Sequence, residues 1–383
     1  MPPCSWTGRP LHSGRTDEMK IRGNILGERG CWEVSIEAGV ITRVDHRGDS
    51  PSRKWILPGL FDIQVNGYKG VSLTSAQLKI EDVVAVEREM VAHGVLRWCP
   101  TVITAPPEIV EHSLKTIRQA EEQGLVHHVH CIHLEALYLS AEDGYRGIHP
   151  AEFLHDADVQ EFDALQKAAG GRIGLVTLAP ERNGALAFIS HLTRNSIRVA
   201  LGHFNADEKT IQKAVAAGAS LSTHLFNGAA SMMNRHANVI YSQLAQDALW
   251  ASFIPDGYHV PYSTLKVGLR SKGISRSIFT SDTISYGGLP PGIYQDPYGR
   301  NVIVQDGGIW LEGGEYLYGA WQNLMQGIQK SILAQIVDVE TALQLAALNP
   351  ARYFGIDAEI KVRVGQETPL LVFDAQTLEY QVC

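Results

Sequence analysis

The stretch "LPGLFDIQVNG" (57–67) has the pattern of a buried strand with an unusual polar face. Its apolar residues indicate a place in a core, whereas Asp62, Gln64 and Asn66 fall at every second position. Successive side chains of a strand point to opposite faces, so these three polar side chains share one face. A carboxylate and two amides on one face of a buried strand indicate that this face has a specific hydrogen-bonding or functional role.

Seven further short apolar segments follow, separated by amphipathic segments with helical periodicity. The eight predicted strands are 58–66, 96–104, 128–135, 172–180, 197–203, 219–227, 250–259 and 276–283. Alternating strands and helices predict a parallel sheet, and eight such units predict a closed barrel rather than an open sheet. The predicted fold class is therefore α/β, a (β/α)₈ TIM-type barrel spanning 58–357.

Both ends of the chain carry short β segments outside this barrel. Residues 19–57 read as a β-meander, and 358–383 contain two more short strands. We expect the two ends to pair into a small β-sandwich domain beside the barrel. Residues 1–18 are polar and contain three prolines, and they predict a disordered N-terminal extension.

Composition restricts the class of partner. The chain has 383 residues, of which 45% are hydrophobic and 19% charged, which is enough to bury a large core. A formal net charge of −8 argues against nucleic acid or an anionic membrane as a partner and favours a small molecule. Five scattered cysteines without a C-x-x-C motif argue against a disulfide framework and favour a reducing cytoplasm. No apolar run approaches the roughly 20 residues of a membrane span.

Metal-ligand residue types lie where the predicted strands end. Glu135 ends strand three, His203 ends strand five, His224 lies in strand six and Asp282 lies in strand eight. The active site of a (β/α)₈ barrel is formed at the carboxyl ends of its strands. A single histidine at such a place is more often structural, but two imidazoles and a carboxylate form the ligand set of a catalytic zinc site. We predict a metal held by these three residues, with Asp282 as the base.

Other histidines cluster at the start of predicted strand three and within it, at His127, His128, His130 and His133. Strand alternation places only His133 on the face of Glu135. We therefore predict that His133 supports the metal ligands rather than forming a separate metal site.

Several motifs together resemble one enzyme family. In chain order, they are "LPGLFDIQVNG", "HLEALYLS…GIHP", "GHFNA", "GASLSTHLFNGA", "IPDGYHV", "SDT" and "NPARYFG". They resemble the N-acetylglucosamine-6-phosphate deacetylases of the amidohydrolase superfamily, from about Pro58 to about Gly355. The resemblance implies a barrel flanked by a β-sandwich built from both chain ends. It also implies hydrolysis of the acetamide of N-acetylglucosamine 6-phosphate to glucosamine 6-phosphate and acetate.

The resemblance also implies the number of metal ions. Many amidohydrolases carry an H-x-H motif at the end of strand one, but here that position reads Gln64-Val65-Asn66. Neutral amides are poor zinc ligands, so we expect one divalent metal per chain, zinc, with iron, manganese or cobalt as alternatives. The amides either hold water and the neighbouring ligands in place or form a purely structural hydrogen-bond network.

Roles for further residues follow from the resemblance. Asp282 is expected to take a proton from a metal-activated water and to deliver it to the sugar nitrogen, while His149 polarises the acetyl carbonyl. The substrate-binding residues that it implies are Asn227, Gly228, Arg235, His259, Leu317, Tyr318 and Gly319. Arg235 would serve the neighbouring site of a homodimer or higher homo-oligomer, or else it is a solvated surface residue. The last three belong to an aromatic-rich loop that covers either the substrate or the barrel.

Two departures from the family pattern keep other functions open. Ala136-Leu137 replaces the usual G-P after the glutamate, and no P-G turn follows Arg235. The alternatives are an amidohydrolase acting on another N-acylated sugar or a cyclic amide, and a non-catalytic metal-bound barrel serving as a binding protein. The intact set of Glu135, His203, His224 and Asp282 counts against the latter.

Overall fold

Eight parallel strands form the centre of the protein in a computed structural model that describes residues 18–314, 317–367 and 369–383. We number them as barrel strands one to eight: Leu60–Val65, Val95–Ile103, Ile132–Glu135, Ile173–Leu178, Arg198–Leu201, Leu221–Ser222, Trp250–Phe253 and Ser277–Phe279. Each strand pairs with the next one along the chain. A parallel bridge between Val65 and Thr283 joins strand one to the end of strand eight. The predicted α/β fold class and TIM-type barrel are confirmed.

Helices surround the strands and cover the barrel with apolar faces. The α-helices are Ile80–Ala92, Pro107–Glu122, Val159–Ala168, Ala185–Arg194, Glu208–Ala217, Val239–Leu244, Tyr262–Lys272, Leu324–Leu333, Val339–Leu343 and Asn349–Phe354. Side chains of Asp158, Asp207 and Asn238 accept hydrogen bonds from the first-turn amides of the helices that follow them, which fixes where these helices begin. Within the described residues, no helix combines the length and the apolar composition needed to cross a bilayer.

A six-stranded sheet is built from both ends of the chain. Its strands are Met19–Ile25, Cys31–Glu37, Val40–His46, Lys54–Leu57, Leu371–Asp374 and Tyr380–Val382. Strand Leu371–Asp374 pairs with Lys54–Leu57, so the end of the chain closes onto its beginning. A separate apolar cluster that includes Val34, Ile41 and Ile56 supports this small β domain. Its boundaries stay a prediction, and the extension predicted over 1–18 lies outside the described residues except for Glu18.

A four-stranded antiparallel sheet follows barrel strand eight, and the sequence did not predict it. Its strands are Gly292–Gln295, Asn301–Gln305, Gly308–Leu311 and Leu317–Gly319. Ile284 and Tyr286, just beyond strand eight, pack against its inner residues. A bridge between Thr283 and Ala320 also anchors it to the barrel. The segment Leu317–Gly319, predicted as a loop, is therefore an edge strand placed over the carboxyl ends of the barrel strands. The short strands Gly67–Tyr68 and Val71–Ser72 form a separate two-stranded ribbon.

His130 gives the fold a testable pH dependence. Its ring packs between those of Phe61 and Phe354, and its Nδ1 lies 3.4 Å from the Arg97 guanidinium. Burial and the charges of Arg97 and Arg172 lower the pKa of His130 from 6.5 to about 4. Between these two values the unfolded chain binds a proton that the folded chain does not, so the free energy of unfolding falls as the pH decreases through this window.

We expect His130→Gln to reduce the slope of the free energy of unfolding against pH, between pH 6.5 and 4, by an amount that corresponds to the binding of up to one proton. Urea unfolding of parent and variant at several pH values measures the two slopes. Equal slopes would show that another group is responsible.

Candidate active site

The polar side chains predicted at the strand ends meet in one cavity. It has a volume of about 760 Å³ and lies at the carboxyl end of the barrel, below the four-stranded sheet. The predicted site residues that line it are Asn66, Glu135, His149, His203, His224, Asn227, Gly228, His259, Asp282, Leu317, Tyr318 and Gly319. The cavity is large enough for a monosaccharide derivative, since ligand pockets are commonly about 300–1,000 Å³.

Glu135, His203 and His224 converge at the base of this cavity. His224 Nε2 lies 3.0 Å from Glu135 Oε1 and 3.2 Å from His203 Nε2, and all three side chains are buried. His203 Nδ1 lies 2.9 Å from the Tyr145 carbonyl oxygen, which can only accept, so the ring proton is on Nδ1 and the Nε2 lone pair faces the cluster. Burial lowers the pKa of His203 to about 4, which keeps this ring neutral. An oxygen and two nitrogens placed in this way fit a divalent cation.

A second combination of side chains shares two members with this cluster. Ligand atoms of Glu135, His149 and His203 lie within 4.8 Å of one another. The rings of His149 and His203 are 4.5 Å apart, and the Thr104 hydroxyl is 2.8 Å from His149 Nδ1. The structure therefore brings His149, which the resemblance assigns to the acetyl carbonyl, close to the metal ligands. A buried Glu/His/His group that could hold a metal is present in either combination.

The backbone is strained at three of the predicted site residues. His203, His224 and Asp282 have φ values of +52°, +30° and +53°, in the left-handed region that non-glycine residues rarely adopt. Each lies just beyond the end of a barrel strand, where the chain turns over the cavity. Specific hydrogen bonds support these conformations: Ser252 Oγ accepts from the His224 amide and the Gln64 carbonyl accepts from the Asp282 amide. Strain of this kind clusters at functional sites.

The polar face of strand one holds these residues in place. Gln64 Nε2 donates to Glu135 Oε2 at 2.6 Å, and Asn66 Nδ2 donates to Asp282 Oδ1 at 2.7 Å. Asp62 accepts from the Thr280 hydroxyl at 2.6 Å, which ties strand one to strand eight. These contacts favour the first of the two interpretations, in which the amides orient the neighbouring carboxylates, over a purely structural network.

Electrostatics adapt Asp282 to proton transfer. Burial raises the pKa of Asp282 to about 6; the Glu135 carboxylate adds to this, whereas His224, His259 and the Asn66 amide oppose it. Burial also raises the pKa of Glu135 to about 7, against the influence of His203 and Gln64. Two carboxyls that both resist ionisation indicate a site that lacks positive charge, which a bound cation supplies.

A buried ion pair orients His259 across the cavity. His259 Nδ1 lies 2.7 Å from Asp256 Oδ2, and Asp256 Oδ1 accepts the backbone amides of Tyr258 and His259. Burial alone would lower the pKa of His259, but the Asp256 carboxylate outweighs it and the pKa is raised. His259 is therefore prepared to donate hydrogen bonds from its Nε2 atom.

Three predicted residues do not line the cavity, and one of them, Gln64, still hydrogen-bonds to Glu135. The other two are Arg235 and His133. Arg235 is exposed and lines a separate surface pocket with Met233, Asn234 and Asn238. His133 is buried beneath the cavity floor, and its Nε2 is 2.7 Å from the Thr177 hydroxyl. Neither side chain contacts the Glu135 cluster directly.

Two arginines in the cavity lining were missed by the sequence reading. Arg146 donates to the His149 carbonyl and to Asp143, and Arg300 pairs with Asp296. Arg300 belongs to the unpredicted four-stranded sheet, so nothing placed it near the barrel. The D-P-Y-G-R run, a turn with an acid and an arginine four residues apart, was the available signal.

The loop after strand three has a backbone conformation at Leu137 that excludes proline. Leu137 is completely buried and has φ +65°, a value that proline cannot adopt because its ring holds φ near −65°. Residues 136–141 also form no helix. A proline could therefore not replace Leu137 without a change in this loop.

The fold and the cavity together define the class of the protein. A (β/α)₈ barrel with a Glu/His/His cluster at its strand ends and an aspartate after strand eight is the architecture of the amidohydrolase superfamily. The chain belongs, within it, to the N-acetylglucosamine-6-phosphate deacetylase family, as the following similarities show.

The chain is 30% identical over 341 residues to the N-acetylglucosamine-6-phosphate deacetylase of Danio rerio, covering 86% of this chain and 83% of that protein. It is 27% identical over 360 residues to the N-acetylgalactosamine-6-phosphate deacetylase of Escherichia coli O157:H7, covering 92% and 93%. The crystal structure of N-acetyl-D-glucosamine-6-phosphate deacetylase from Mycobacterium smegmatis superposes with a TM-score of 0.83 at 24% identity, covering 95% and 98%. No family model matches the chain.

Proposed function

We propose that this protein hydrolyses the acetamide of N-acetylglucosamine 6-phosphate to glucosamine 6-phosphate and acetate. The observation that carries the proposal is the convergence of Glu135, His203 and His224 beside Asp282 in one cavity of the family's barrel. That geometry supplies a metal-ligand set and a proton carrier next to each other. Amide hydrolysis at neutral pH requires both.

We propose one divalent metal per chain, zinc, with iron, manganese or cobalt as alternatives. We assign Glu135, His203 and His224 as the ligands, because their facing atoms lie 3.0 to 3.8 Å from one another. Three protein ligands leave a position open, as in catalytic zinc sites. When bound, the metal polarises a carbonyl and lowers the pKa of water.

The chain's own groups move the protons. The Asp282 carboxylate takes the proton of the attacking water and returns it to the departing amine, while Asn66 Nδ2 holds the other side of that carboxylate. The Thr104 hydroxyl can donate to His149 Nδ1, which leaves the proton of this neutral ring on Nε2. From there His149 donates a hydrogen bond to the acetyl carbonyl oxygen, where negative charge develops.

The remaining residues bind the sugar and its phosphate. We assign the sugar to Asn227, Gly228 and His259 together with the edge strand Leu317–Gly319. Arg235 lies outside the cavity of its own chain, so we propose that it reaches the neighbouring site in a homodimer or higher homo-oligomer. We also propose a cytoplasmic location, in keeping with free thiols at Cys31, Cys99, Cys131 and Cys383.

The deciding experiment is an acetate-release assay of the metal-loaded protein. The substrates are N-acetylglucosamine with and without its 6-phosphate, and N-acetylgalactosamine 6-phosphate, the epimer named for the Escherichia coli relative. We expect the phosphorylated glucosamine derivative to give the highest kcat/KM. Equal hydrolysis of the sugars with and without phosphate, or no hydrolysis of any of them, would contradict the proposal.

Arg235→Ala tests the predicted phosphate contact. We expect kcat/KM for the phosphorylated sugar to fall by about 30- to 500-fold, because a charge-assisted contact is lost, while the unphosphorylated sugar changes little. Arg270→Ala, an exposed arginine on helix Tyr262–Lys272, is the matched control.

Subunit mixing tests whether Arg235 serves the neighbouring site. Arg235→Ala mixed with Asp282→Asn should recover activity, since some mixed sites contain both native side chains. No recovery, with both variants still oligomeric, would place Arg235 in its own subunit's site or outside any site.

A further inference from the structure

Arg300 lies in the same cavity as the metal-ligand cluster but has no part in the function described so far. It directly precedes strand Asn301–Gln305 of the four-stranded sheet. Its side chain is 40% exposed and lines the cavity together with His224 and Asp282. A partly exposed guanidinium in a substrate cavity is available to a ligand.

Asp296 fixes the orientation of this guanidinium. Arg300 Nε donates to Asp296 Oδ2 at 2.6 Å, and the Tyr318 hydroxyl donates to the same oxygen at 3.0 Å. The other oxygen accepts the backbone amides of Tyr298 and Arg300 at 2.9 and 2.8 Å. The Asp296 side chain is completely buried and fully hydrogen-bonded, so it holds Arg300 by Nε alone. Tyr318 adds a side-chain hydrogen bond to Arg300, so the carboxylate and the phenol together orient the guanidinium.

Aromatic rings and the sheet core restrict the movement of Arg300. Its guanidinium carbon lies 5.4 Å from the ring centre of Tyr298 and 5.6 Å from that of Tyr318. Tyr318 packs in turn with Ile284 and Tyr286, which follow barrel strand eight. The guanidinium is therefore held in a fixed relation to the strand that presents Asp282. A side chain that is already restricted in this way loses little conformational entropy when it binds a ligand.

Chemistry restricts what such a group binds. Two terminal guanidinium nitrogens form parallel hydrogen bonds to a phosphate or a carboxylate, a geometry that lysine cannot provide. Among the described lining residues, the carboxylates are Glu135 and Asp282, both in the cluster, whereas Arg146, Arg300 and His259 are cationic or prepared to be. The part of the cavity lining outside the Glu135 cluster therefore carries positive charge, which attracts an anionic substrate.

We propose that Arg300 binds the phosphate of the substrate in the cavity of its own chain. The inference rests on the proposed function, in that it names a group, in addition to Arg235, that recognises the phosphate monoester. It differs from the contact assigned to Arg235, because Arg300 and the metal ligands belong to one chain. Asp296 and Tyr318 are positioning residues that act through Arg300.

Substitution of Arg300 gives a test with two substrates. Arg300→Gln keeps most of the side-chain stem, and we expect kcat/KM for N-acetylglucosamine 6-phosphate to fall by about 10- to 100-fold, mainly through KM. The unphosphorylated sugar should change by less than about threefold. Arg300→Lys should recover part of the loss, since it keeps the charge without the fork. Arg270→Gln is the matched control, and thermal unfolding of each variant checks the fold.

Two measurements separate this inference from the proposed function. Calorimetry of the metal-loaded Asp282→Asn protein measures binding of N-acetylglucosamine 6-phosphate without turnover, and adding Arg300→Gln should weaken it by about 10- to 100-fold. Mixing Arg300→Gln with Asp282→Asn subunits should restore no activity. If both side chains serve the site of their own chain, every site in the mixed oligomer lacks one of them. Arg300-dependent binding in a parent that releases no acetate supports the inference and contradicts the proposed deacetylation.

Three results would overturn the inference. One is binding and kinetics unchanged in Arg300→Gln; another is an equal loss for both sugars, which indicates a structural role. The third is recovery of activity in the mixed subunits, which would place Arg300 in the neighbouring site.

Discussion

Asp282→Asn is expected to lower kcat by about 10²- to 10⁴-fold while the protein keeps its metal and its fold. Asparagine has the shape of aspartate but cannot accept a proton from water. Before a cation binds, burial raises the pKa of Asp282 to about 6, so this carboxyl holds a proton more readily than an exposed aspartate. The loss can exceed this range, because the same carboxylate both takes and returns the proton.

Steady-state kinetics, metal analysis and thermal unfolding together isolate this effect. In the native protein, Asn66 Nδ2 donates to Asp282 Oδ1 at 2.7 Å. The side-chain oxygen of an asparagine at position 282 can accept the same hydrogen bond, so the variant should keep this contact. A variant within a few-fold of the parent would show that Asp282 is a bystander. A variant that also lost its metal would show instead that Asp282 is a ligand.

The barrel was predictable because its strands are short, apolar and separated by clear helical periodicity. The strand ends were harder to predict. Residues 219–227 were expected as one strand, but the strand ends at Ser222, because His224 at φ +30° turns the chain over the cavity. No propensity scale predicts a left-handed histidine, since the conformation depends on contacts with a neighbouring strand.

Gln64 and Asn66 show how much a single strand can reveal about a site. Their alternation identified the polar face, but their partners lie at the end of strand three and beyond strand eight, 71 and 216 residues further along the chain. Spacing along the chain carries no information about such pairs. Arg300 was missed for a related reason, since it is brought to the cavity by a sheet whose short strands have no distinctive period.

His203→Ala and His224→Ala are each expected to release the metal and to abolish turnover. Even partners outside the ligand shell change metal affinity by about 10- to 100-fold, so loss of a ligand should exceed that. His149→Ala should keep its metal and lose turnover only, because we assign His149 to the carbonyl oxygen. His191→Ala, on the outer helix Ala185–Arg194, is the matched control.

Metal content after dialysis distinguishes the two overlapping ligand sets. His203 belongs to both, so its loss should empty the site in either case. If His149→Ala empties the site while His224→Ala keeps its metal, the ligands are Glu135, His149 and His203, and His224 takes the place beside the carbonyl. His224 Nε2 lies 3.0 Å from Glu135 and 3.2 Å from His203, and these distances predict the opposite result. Two tightly bound ions per chain would contradict both sets, because the strand-one amides already occupy the positions where a second metal needs imidazoles.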